Sequence, residues 1–323
     1  MSLEETWPLL DRFPGLASLP RAPLRSGPTP IESLESLAPN LWIKRDDLTA
    51  LPIGGNKVRS LEFLLGGVGG GDRVATVGPR GSTHALATAI HGRSLGALVS
   101  LGLWPQEMNP MAEVVGAEIR RTVSSRKAFI SPALALPWLR WRGLRGDRTI
   151  PAGGTSPLGM LGHVNAALEV AEQVRLGMCP DPRQIVVPLG SGGTVAGLAV
   201  GFSIAGMHPQ IIGARVVPRI VGRTGRIAGL ANATRAFIER HTGGRLPRTG
   251  ALDVQVTSTV YGGAYGLPLA RAAESAARMR DAIGVTLDAT YAAKAFTAAL
   301  EVRHDVPTLF WLTFDSRWVG TDG

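Results

Sequence analysis

The 323-residue chain has a single cysteine, Cys179, and its six histidines follow no metal-binding spacing. One thiol excludes a disulfide framework and any zinc or iron–sulfur site built from thiolates. The histidines lack the His-Glu-x-x-His pattern, so the sequence predicts no dedicated metal site. The first ten residues carry two glutamates and no basic segment ahead of an apolar run, which is unlike a secretory signal. We therefore expect a cytoplasmic protein.

Lysine is also scarce, since four lysines stand beside thirty arginines in a chain of net charge +9. A basic balance is compatible with nucleic-acid binding. The densest basic cluster, residues 140–148, has no helix-turn-helix or zinc-finger spacing, so we expect a solvated arginine-rich surface and no nucleic-acid partner. Each lysine gains interest for amine chemistry, because arginine cannot be deprotonated to form a Schiff base.

Charged residues are absent between Arg183 and Arg215, over a span longer than the roughly 20 residues of a membrane helix. Glycines and prolines divide this span into a β-branched run, a glycine turn, a helical run and a second β-branched run. Such a pattern is typical of a buried strand–helix–strand unit. We expect no membrane span.

Strand and helix patterns alternate along the chain, which predicts an α/β protein with open, twisted parallel sheets. The predicted strands are residues 73–77, 97–103, 119–123, 184–187, 211–217 and 308–313. The predicted helices are residues 82–95, 157–176, 194–205 and 291–302. Residues 104–149 form the least regular stretch. We expect a small inserted α/β domain at 60–152 and a large domain formed by 1–59 and 153–323, with the active site between them.

Lys57 follows two consecutive glycines in the segment 54–59. Glycines allow the backbone to approach a ligand closely, and a desolvated lysine can react as an amine. A surface lysine after a turn is the alternative that this pattern leaves open.

Two further segments stand between a predicted strand and a predicted helix. In residues 190–194, Gly-Ser-Gly-Gly-Thr, backbone N–H groups and hydroxyls suit a phosphate monoester, and neither the Walker A ending nor a third dinucleotide-fingerprint glycine is present. A plain tight turn is the alternative. In residues 81–84 the helix start suits a carboxylate, and Ser82 is a candidate nucleophile or proton carrier; an ordinary N-cap is the alternative.

Several segments share residue types and order with one known group of enzymes. They are residues 41–49, 54–59, 61–64, 150–156, 190–194, Tyr265 with Gly266, and Tyr291 with Lys294. From about residue 11 to about residue 313, the chain resembles the pyridoxal-phosphate enzymes grouped as 1-aminocyclopropane-1-carboxylate (ACC) deaminase and D-cysteine desulfhydrase. The resemblance implies the tryptophan-synthase-β-like fold, type II among pyridoxal-phosphate folds, with the cofactor between two domains, and usually a homodimer.

The resemblance also implies roles for individual residues. Lys57 would bind the cofactor covalently and would remove the Cα proton. The other expected cofactor contacts are Asn56, Thr83, Gly190, Ser191, Gly192, Gly193, Thr194 and Thr313, the last near the pyridine nitrogen. The expected substrate contacts are Ser82, Thr83, His84 and Arg80, of which Arg80 is a candidate for a second anionic group. Ser82, Tyr265 and Tyr291 complete the expected catalytic set.

Some positions depart from the group's pattern. Thr83 replaces an asparagine, Ser60 stands where relatives often have a second lysine, and Phe314 with Asp315 replaces two glycines. Ala292 stands where ACC deaminases carry a glutamate, and His84 where they carry a glutamine, which favours the desulfhydrase side.

The sequence therefore predicts a lyase or deaminase acting on a small amino acid by Cα proton abstraction and β-elimination. An ACC deaminase or a β-replacing synthase is the alternative on the same scaffold. A pyridoxal-phosphate-binding protein without turnover is the alternative of another class.

Overall fold

The computed structural model describes residues 7–123, 127–246 and 253–318. The strands in these ranges are β1 Ile31–Ser33, β2 Leu41–Arg45, β3 Arg73–Pro79, β4 Leu98–Trp104, β5 Lys127–Phe129, β6 Arg148–Ile150, β7 Gln184–Leu189, β8 Gln210–Arg215, β9 Val254–Thr257 and β10 Thr308–Leu312. The α-helices are α1 Pro8–Arg12, α2 Asn56–Leu64, α3 Thr83–Ser94, α4 Pro110–Val123, α5 Ala135–Leu144, α6 Pro157–Arg175, α7 Gly193–Ala205, α8 Thr224–Thr242, α9 Ala270–Ile283 and α10 Ala292–Glu301.

The strands form two open sheets. The larger sheet has the order β1-β2-β10-β7-β8-β9, and the smaller one has the order β5-β4-β3-β6. All neighbouring pairs are parallel except β1 with β2. Parallel strands need crossover connections, which the intervening helices supply. The predicted α/β class is confirmed, and the larger sheet is mixed at its β1 edge.

Helices cover both faces of each sheet. On the larger sheet, apolar residues of α6, α7 and α8 form one buried cluster, and those of α9 and α10 form another. On the smaller sheet, α3 and α4 pack on one face and α5 on the other. Strands buried on both faces explain the long uncharged runs in the sequence. The smaller sheet is built from residues 73–150, while the domain boundaries at 59/60 and 152/153 stay a prediction.

Most predicted elements are confirmed to within a few residues, including α6, whose first turn begins with Pro157 and is capped by the Ser156 hydroxyl. The strand predicted at 119–123 is wrong, because these residues are the last turns of α4. Met111, Val115, Ile119 and Val123 recur every four residues and are all buried, which is a helical period. Residues 119–123 taken by themselves are rich in β-branched side chains, which favours a strand and hides the helical period.

The stretch 104–149 is more regular than the sequence suggests, since it contains α4, β5 and α5. Proline and tryptophan in α5 reduced its apparent helical pattern, and Leu139 is its buried residue. Among the described residues, no helix combines the length and the apolar character needed to cross a bilayer.

Candidate active site

A cavity of about 540 Å³ lies between the two sheets. Its walls come from the segments that follow the carboxyl ends of β3, β4, β7, β8 and β10, together with the start of α2. In α/β proteins, ligands bind at this edge of a parallel sheet, because loops and helix N-termini converge there. The sheet topology therefore places the chemistry-bearing segments around one space.

Lys57 occupies the first turn of α2, and the backbone before it is closely constrained. Gly55 has φ of +117°, and a Cβ atom there would lie 2.8 Å from the Thr313 carbonyl oxygen. The Asn56 N–H donates to the same carbonyl at 2.9 Å. Glycine at position 55 thus lets α2 start against the end of β10, which directs its first turn into the cavity.

The Lys57 amine lines the cavity, and its Nζ donates to the Gly153 carbonyl oxygen at 3.3 Å. Burial lowers the pKa of Lys57 to about 8. A lysine next to a carboxylate would have a higher pKa, because the negative charge stabilises the ammonium form. The amine is therefore available as a nucleophile or a base near neutral pH.

Lys44 has a different environment, although it lies only thirteen residues earlier. Its Nζ donates to the Thr29 carbonyl at 2.7 Å, to Glu169 Oε1 at 2.6 Å and to Gln173 Oε1 at 2.7 Å. Lys44 is completely buried. All three N–H donors are used, so Lys44 has a structural role and does not reach the cavity.

Glu169 lies at the centre of a buried ion network behind α2. It accepts hydrogen bonds from Lys44, from Arg59 Nη1 at 2.9 Å and from Arg25 Nη1 at 3.2 Å. Arg59 also pairs with Asp46 at 2.6 Å. Because Arg59 is on α2, this network fixes the helix that carries Lys57. The cations hold the pKa of Glu169 well below its usual range, against the effect of burial.

The segment 190–194 forms a turn at the start of α7 whose geometry suits an anion. Gly192 has φ of +92°, and within the described residues no side chain caps the helix. The N–H groups of the first turn lack intrahelical acceptors and carry the positive end of the helix dipole. Ser191 Oγ accepts a hydrogen bond from Thr155 Oγ1 at 2.6 Å, which leaves its own proton free for an anion. This set fits a phosphate group.

Asn56 connects this turn to the helix of Lys57, because its Nδ2 donates to Thr194 Oγ1 at 2.8 Å. Asn56, Thr194, Gly190, Ser191 and Gly192 all line the cavity, and Gly193 supplies backbone at the first position of α7. The structure thus brings the predicted phosphate segment within one hydrogen bond of the lysine helix.

Ser82, Thr83 and His84 line the cavity at the start of α3. Ser82 is the N-cap, since its Oγ accepts from the Ala85 N–H at 3.2 Å. The cap leaves the Ser82 hydroxyl proton free to donate, so the N-cap alternative and the carboxylate-binding interpretation are compatible at this residue.

His84 is neutral and has one free ring nitrogen. Thr76 Oγ1 donates to the Ile150 carbonyl at 2.9 Å, so it can only accept from His84 Nε2, which lies 3.0 Å away. The proton is therefore on Nε2, and Nδ1 is buried without a hydrogen-bond partner among the described residues. Burial, and then the Lys57 charge, lower the pKa of His84 to about 3.

Tyr265 and Tyr291 line the cavity and hydrogen-bond each other through their hydroxyl oxygens. Burial raises the pKa of Tyr291 to about 12, and burial also raises the pKa of Tyr265. Both phenols are therefore neutral at physiological pH, and one hydrogen bond connects them. Thr313 lines the cavity at the end of β10.

Two predicted site residues, Gly193 and Arg80, are not among the cavity-lining residues, and of these Gly193 contributes only backbone. Arg80 lies away from the cavity. It is exposed, and its guanidinium lies 4.8 Å from the centre of the Phe129 ring. Arg80 lies two residues before Ser82 in the sequence, but its side chain packs against Phe129 and is not among the groups that line the cavity.

The structure explains two departures from the family pattern. Ser60 Oγ lies 3.0 Å from His163 Nε2, so position 60 faces α6. Asp315 Oδ2 accepts from the Gly54 N–H at 3.2 Å and pairs with Arg317 at 2.7 Å. The aspartate thereby holds the turn that precedes Lys57.

Sequence reasoning missed three residues that organise the site. Thr155 orients Ser191, the Gly153 carbonyl accepts from Lys57, and Asn109 connects the segment before α4 to the residue after Tyr265. The sequence marks the segment 150–156 as a motif, but it does not predict which residues Gly153 and Thr155 contact. Asn109 carries no sequence signal beyond its place as the residue before a proline.

Comparisons with known proteins agree with this geometry. A family model described as "Pyridoxal-phosphate dependent enzyme" matches residues 23–309. The chain is 35% identical to nocardicin C-9' epimerase of Nocardia uniformis subsp. tsuyamanensis, over 94% of this chain and 95% of that protein. It is 31% identical to D-cysteine desulfhydrase of Salmonella paratyphi B, over 91% and 94%. A crystal structure of an ACC deaminase homologue superposes with a TM-score of 0.77 at 28% identity, covering 96% and 95%.

Proposed function

Because the chain belongs to the family of pyridoxal-phosphate-dependent enzymes, we propose that it is an amino-acid lyase or deaminase most like D-cysteine desulfhydrase. The substrate would lose its Cα proton and a leaving group on Cβ, and water would then release a 2-oxo acid and ammonium. The observation that carries the proposal is the Lys57 amine, whose burial lowers its pKa to about 8, in one cavity with the glycine turn 190–194 and the start of α3.

The residues present fit pyridoxal phosphate. The uncapped first turn of α7 and the free Ser191 proton suit its phosphate, and an amine without a carboxylate partner suits its aldehyde. The residues that would hold the cofactor are Lys57, Asn56, Thr83, Gly190, Ser191, Gly192, Gly193, Thr194 and Thr313. The bound cofactor supplies an electron sink for the bond broken at Cα.

The chain's own residues supply binding and proton transfer. The Ser82 proton and the N-terminus of α3 would orient the substrate carboxylate, because a helix start favours an anion. His84 would contact the substrate only as an acceptor, because its one ring proton is engaged by Thr76. Lys57 Nζ would accept the Cα proton, since its pKa of about 8 leaves a usable unprotonated fraction at neutral pH. Electrons of the broken Cβ–S bond would leave with sulfur, and water would replace the amino nitrogen.

A second candidate is epimerisation at Cα, and the tyrosine pair favours it. Epimerisation by a two-base route uses a proton donor besides the lysine, and the hydrogen-bonded Tyr265 and Tyr291 lie in the same cavity. The relative of 35% identity is named an epimerase. Epimerisation releases no oxo acid, and it exchanges the Cα hydrogen with solvent while the optical rotation decays.

Spectroscopy tests the proposal. We expect the purified protein to show a visible cofactor absorption band that borohydride reduction removes and that Lys57→Ala abolishes. Oxo-acid release is then measured with D- and L-cysteine, cysteate, β-chloroalanine and ACC. A protein that holds no pyridoxal phosphate after reconstitution contradicts the proposal, whereas cofactor binding without turnover on any amino acid leaves only the binding-protein alternative.

A further inference from the structure

Part of the cavity wall lies outside the set of residues proposed to hold the cofactor. The residues concerned are apolar and come from four separate segments of the chain. They are Trp104, Pro105, Pro132, Pro218, Val221 and Ala264. Ligand pockets are commonly lined by apolar side chains with a few polar groups that fix orientation. This set, the apolar wall, is therefore a candidate surface for the substrate side chain.

The apolar wall adjoins the carboxylate-binding end of the cavity. The Arg80 N–H donates to the Trp104 carbonyl at 2.9 Å, and the Gly81 N–H donates to Gln106 Oε1 at 3.1 Å. The segment 104–106 thus lies directly against the segment that leads into Ser82. A substrate held by its carboxylate at the start of α3 would therefore lie beside Trp104 and Pro105, within reach of a side chain that points toward them.

Hydrogen bonds of Asn109 hold the segments of the two cavity tyrosines beside the segment that carries Trp104. Asn109 Nδ2 donates to the Gly266 carbonyl at 2.6 Å and to Thr290 Oγ1 at 2.9 Å. Both acceptors adjoin the cavity tyrosines, because Gly266 follows Tyr265 and Thr290 precedes Tyr291. The Asn109 bridge therefore holds Ala264 and Tyr265 against the segment that carries Trp104.

Among the described residues, the cavity offers no cation besides Lys57 for an anionic substrate side chain, and its one acid is exposed to water, where its attraction for a cationic side chain is weak. Among the described residues that line it, Lys57 is the only lysine or arginine and Glu107 the only acid. Arg80, the cation that the sequence offered for a second anion, lies against Phe129. A charge buried without a partner is strongly unfavourable. The side chain that fits is uncharged.

We infer that the enzyme takes amino acids whose side chain is uncharged, apolar and longer than that of cysteine, such as S-alkyl cysteines that would release an apolar thiol. The inference rests on the proposed function, because it assumes that the carboxylate is held at Ser82 and that the reaction occurs beside Lys57. It goes beyond that function by naming the class of substrate side chain.

Amino acids without a leaving group bind but cannot undergo β-elimination, so their Kd measures contact with the apolar wall separately from turnover. Alanine, 2-aminobutyrate, norvaline and norleucine, each as D and L forms, are titrated into the cofactor-loaded protein, and the change in visible absorption gives Kd. We expect Kd to fall roughly fourfold for each methylene that becomes buried, in one of the two stereochemical series. Aspartate and cysteate serve as anionic counterparts and should bind more weakly than norvaline.

Two variants test the wall itself. Trp104→Ala should flatten the dependence of Kd on chain length, and Val221→Thr, which keeps the side-chain volume, should weaken norleucine more than alanine. The matched control is Trp141→Ala, because Trp141 is a half-exposed tryptophan of α5 that does not line the cavity. It should leave the whole series unchanged.

The outcomes separate the inference from the proposed function. If alanine and cysteine change the spectrum but Kd does not fall along the series, or if aspartate and cysteate bind as well as norvaline, the inference is overturned and the proposed function stands. The inference is also overturned if both wall variants retain the wild-type slope. If no amino acid changes the spectrum, the proposed function fails and the inference fails with it.

Discussion

Lys57 should react with the cofactor at a pH far below the ordinary pKa of a lysine. Burial lowers the pKa of this amine from 10.5 to about 8. Only the unprotonated amine attacks an aldehyde, so at pH 7 the reactive fraction is roughly three hundredfold larger than for an ordinary lysine. The rate of cofactor uptake should therefore rise about tenfold per pH unit up to about pH 8 and then level off.

The assay starts from cofactor-free protein and follows the recovery of the visible band after adding pyridoxal phosphate, between pH 6 and 10.5, in a buffer without primary amines. Lys57→Arg should show no band at any pH, because a guanidinium stays protonated. Lys294→Arg is the matched control, since Lys294 does not line the cavity. A rate that continues to rise to pH 10 and beyond would refute the argument that burial prepares the amine.

Three further substitutions test how the site is held. Glu169→Gln should lower the free energy of unfolding by about 3–5 kcal/mol in urea titration, because buried cations lose their carboxylate. Glu172→Gln, at a more exposed position of the same helix, should change it by less than about 1 kcal/mol, and equal effects of the two variants would contradict the role of the network. Asn109→Ala should destabilise the protein by about 1–3 kcal/mol, because it leaves the Gly266 carbonyl and the Thr290 hydroxyl without this partner. It should also lower kcat with little change in cofactor affinity, and a loss of cofactor affinity alone would contradict this role of Asn109. Gly55→Ala should weaken cofactor binding, because its Cβ would lie 2.8 Å from a carbonyl oxygen at positive φ. Gly284 also has a positive φ, but its Cβ would meet open space, so Gly284→Ala should cost only about 1–2 kcal/mol of stability.

The fold class and most elements were predictable because their signals are local. Buried strands such as β7 and helices such as α6 show continuous apolar runs or a 3.6-residue period, and proline and serine mark the start of α6. The C-terminal half of α4 was misassigned because five residues are too few to distinguish a strand from a buried helical turn. A short apolar run is ambiguous until the residues before it are included.

The candidate site was predictable where one segment carries its own chemistry, as Lys57 and residues 190–194 do. It was not predictable where contacts join distant segments, as when Thr155 orients Ser191 or Asn109 reaches Gly266. Arg80 illustrates a second limit of local signals. An arginine two residues before Ser82 suggests an anion site, but the sequence does not determine that its side chain packs on Phe129. Roles of individual site residues stay predictions until the variants are measured.

The three lysines whose side chains the structure describes differ in access to a small electrophile. Lys44 is enclosed with every N–H donor occupied, and Lys294 is buried with its Nζ 3.4 Å from the Tyr261 carbonyl. Lys57 alone of these three opens onto the cavity. Because arginine does not condense with an aldehyde as an amine does, thirty arginines give the chain its positive charge without offering competing targets. Positive charge and aldehyde reactivity are thereby carried by different residue types, and an aldehyde that enters this cavity meets one amine.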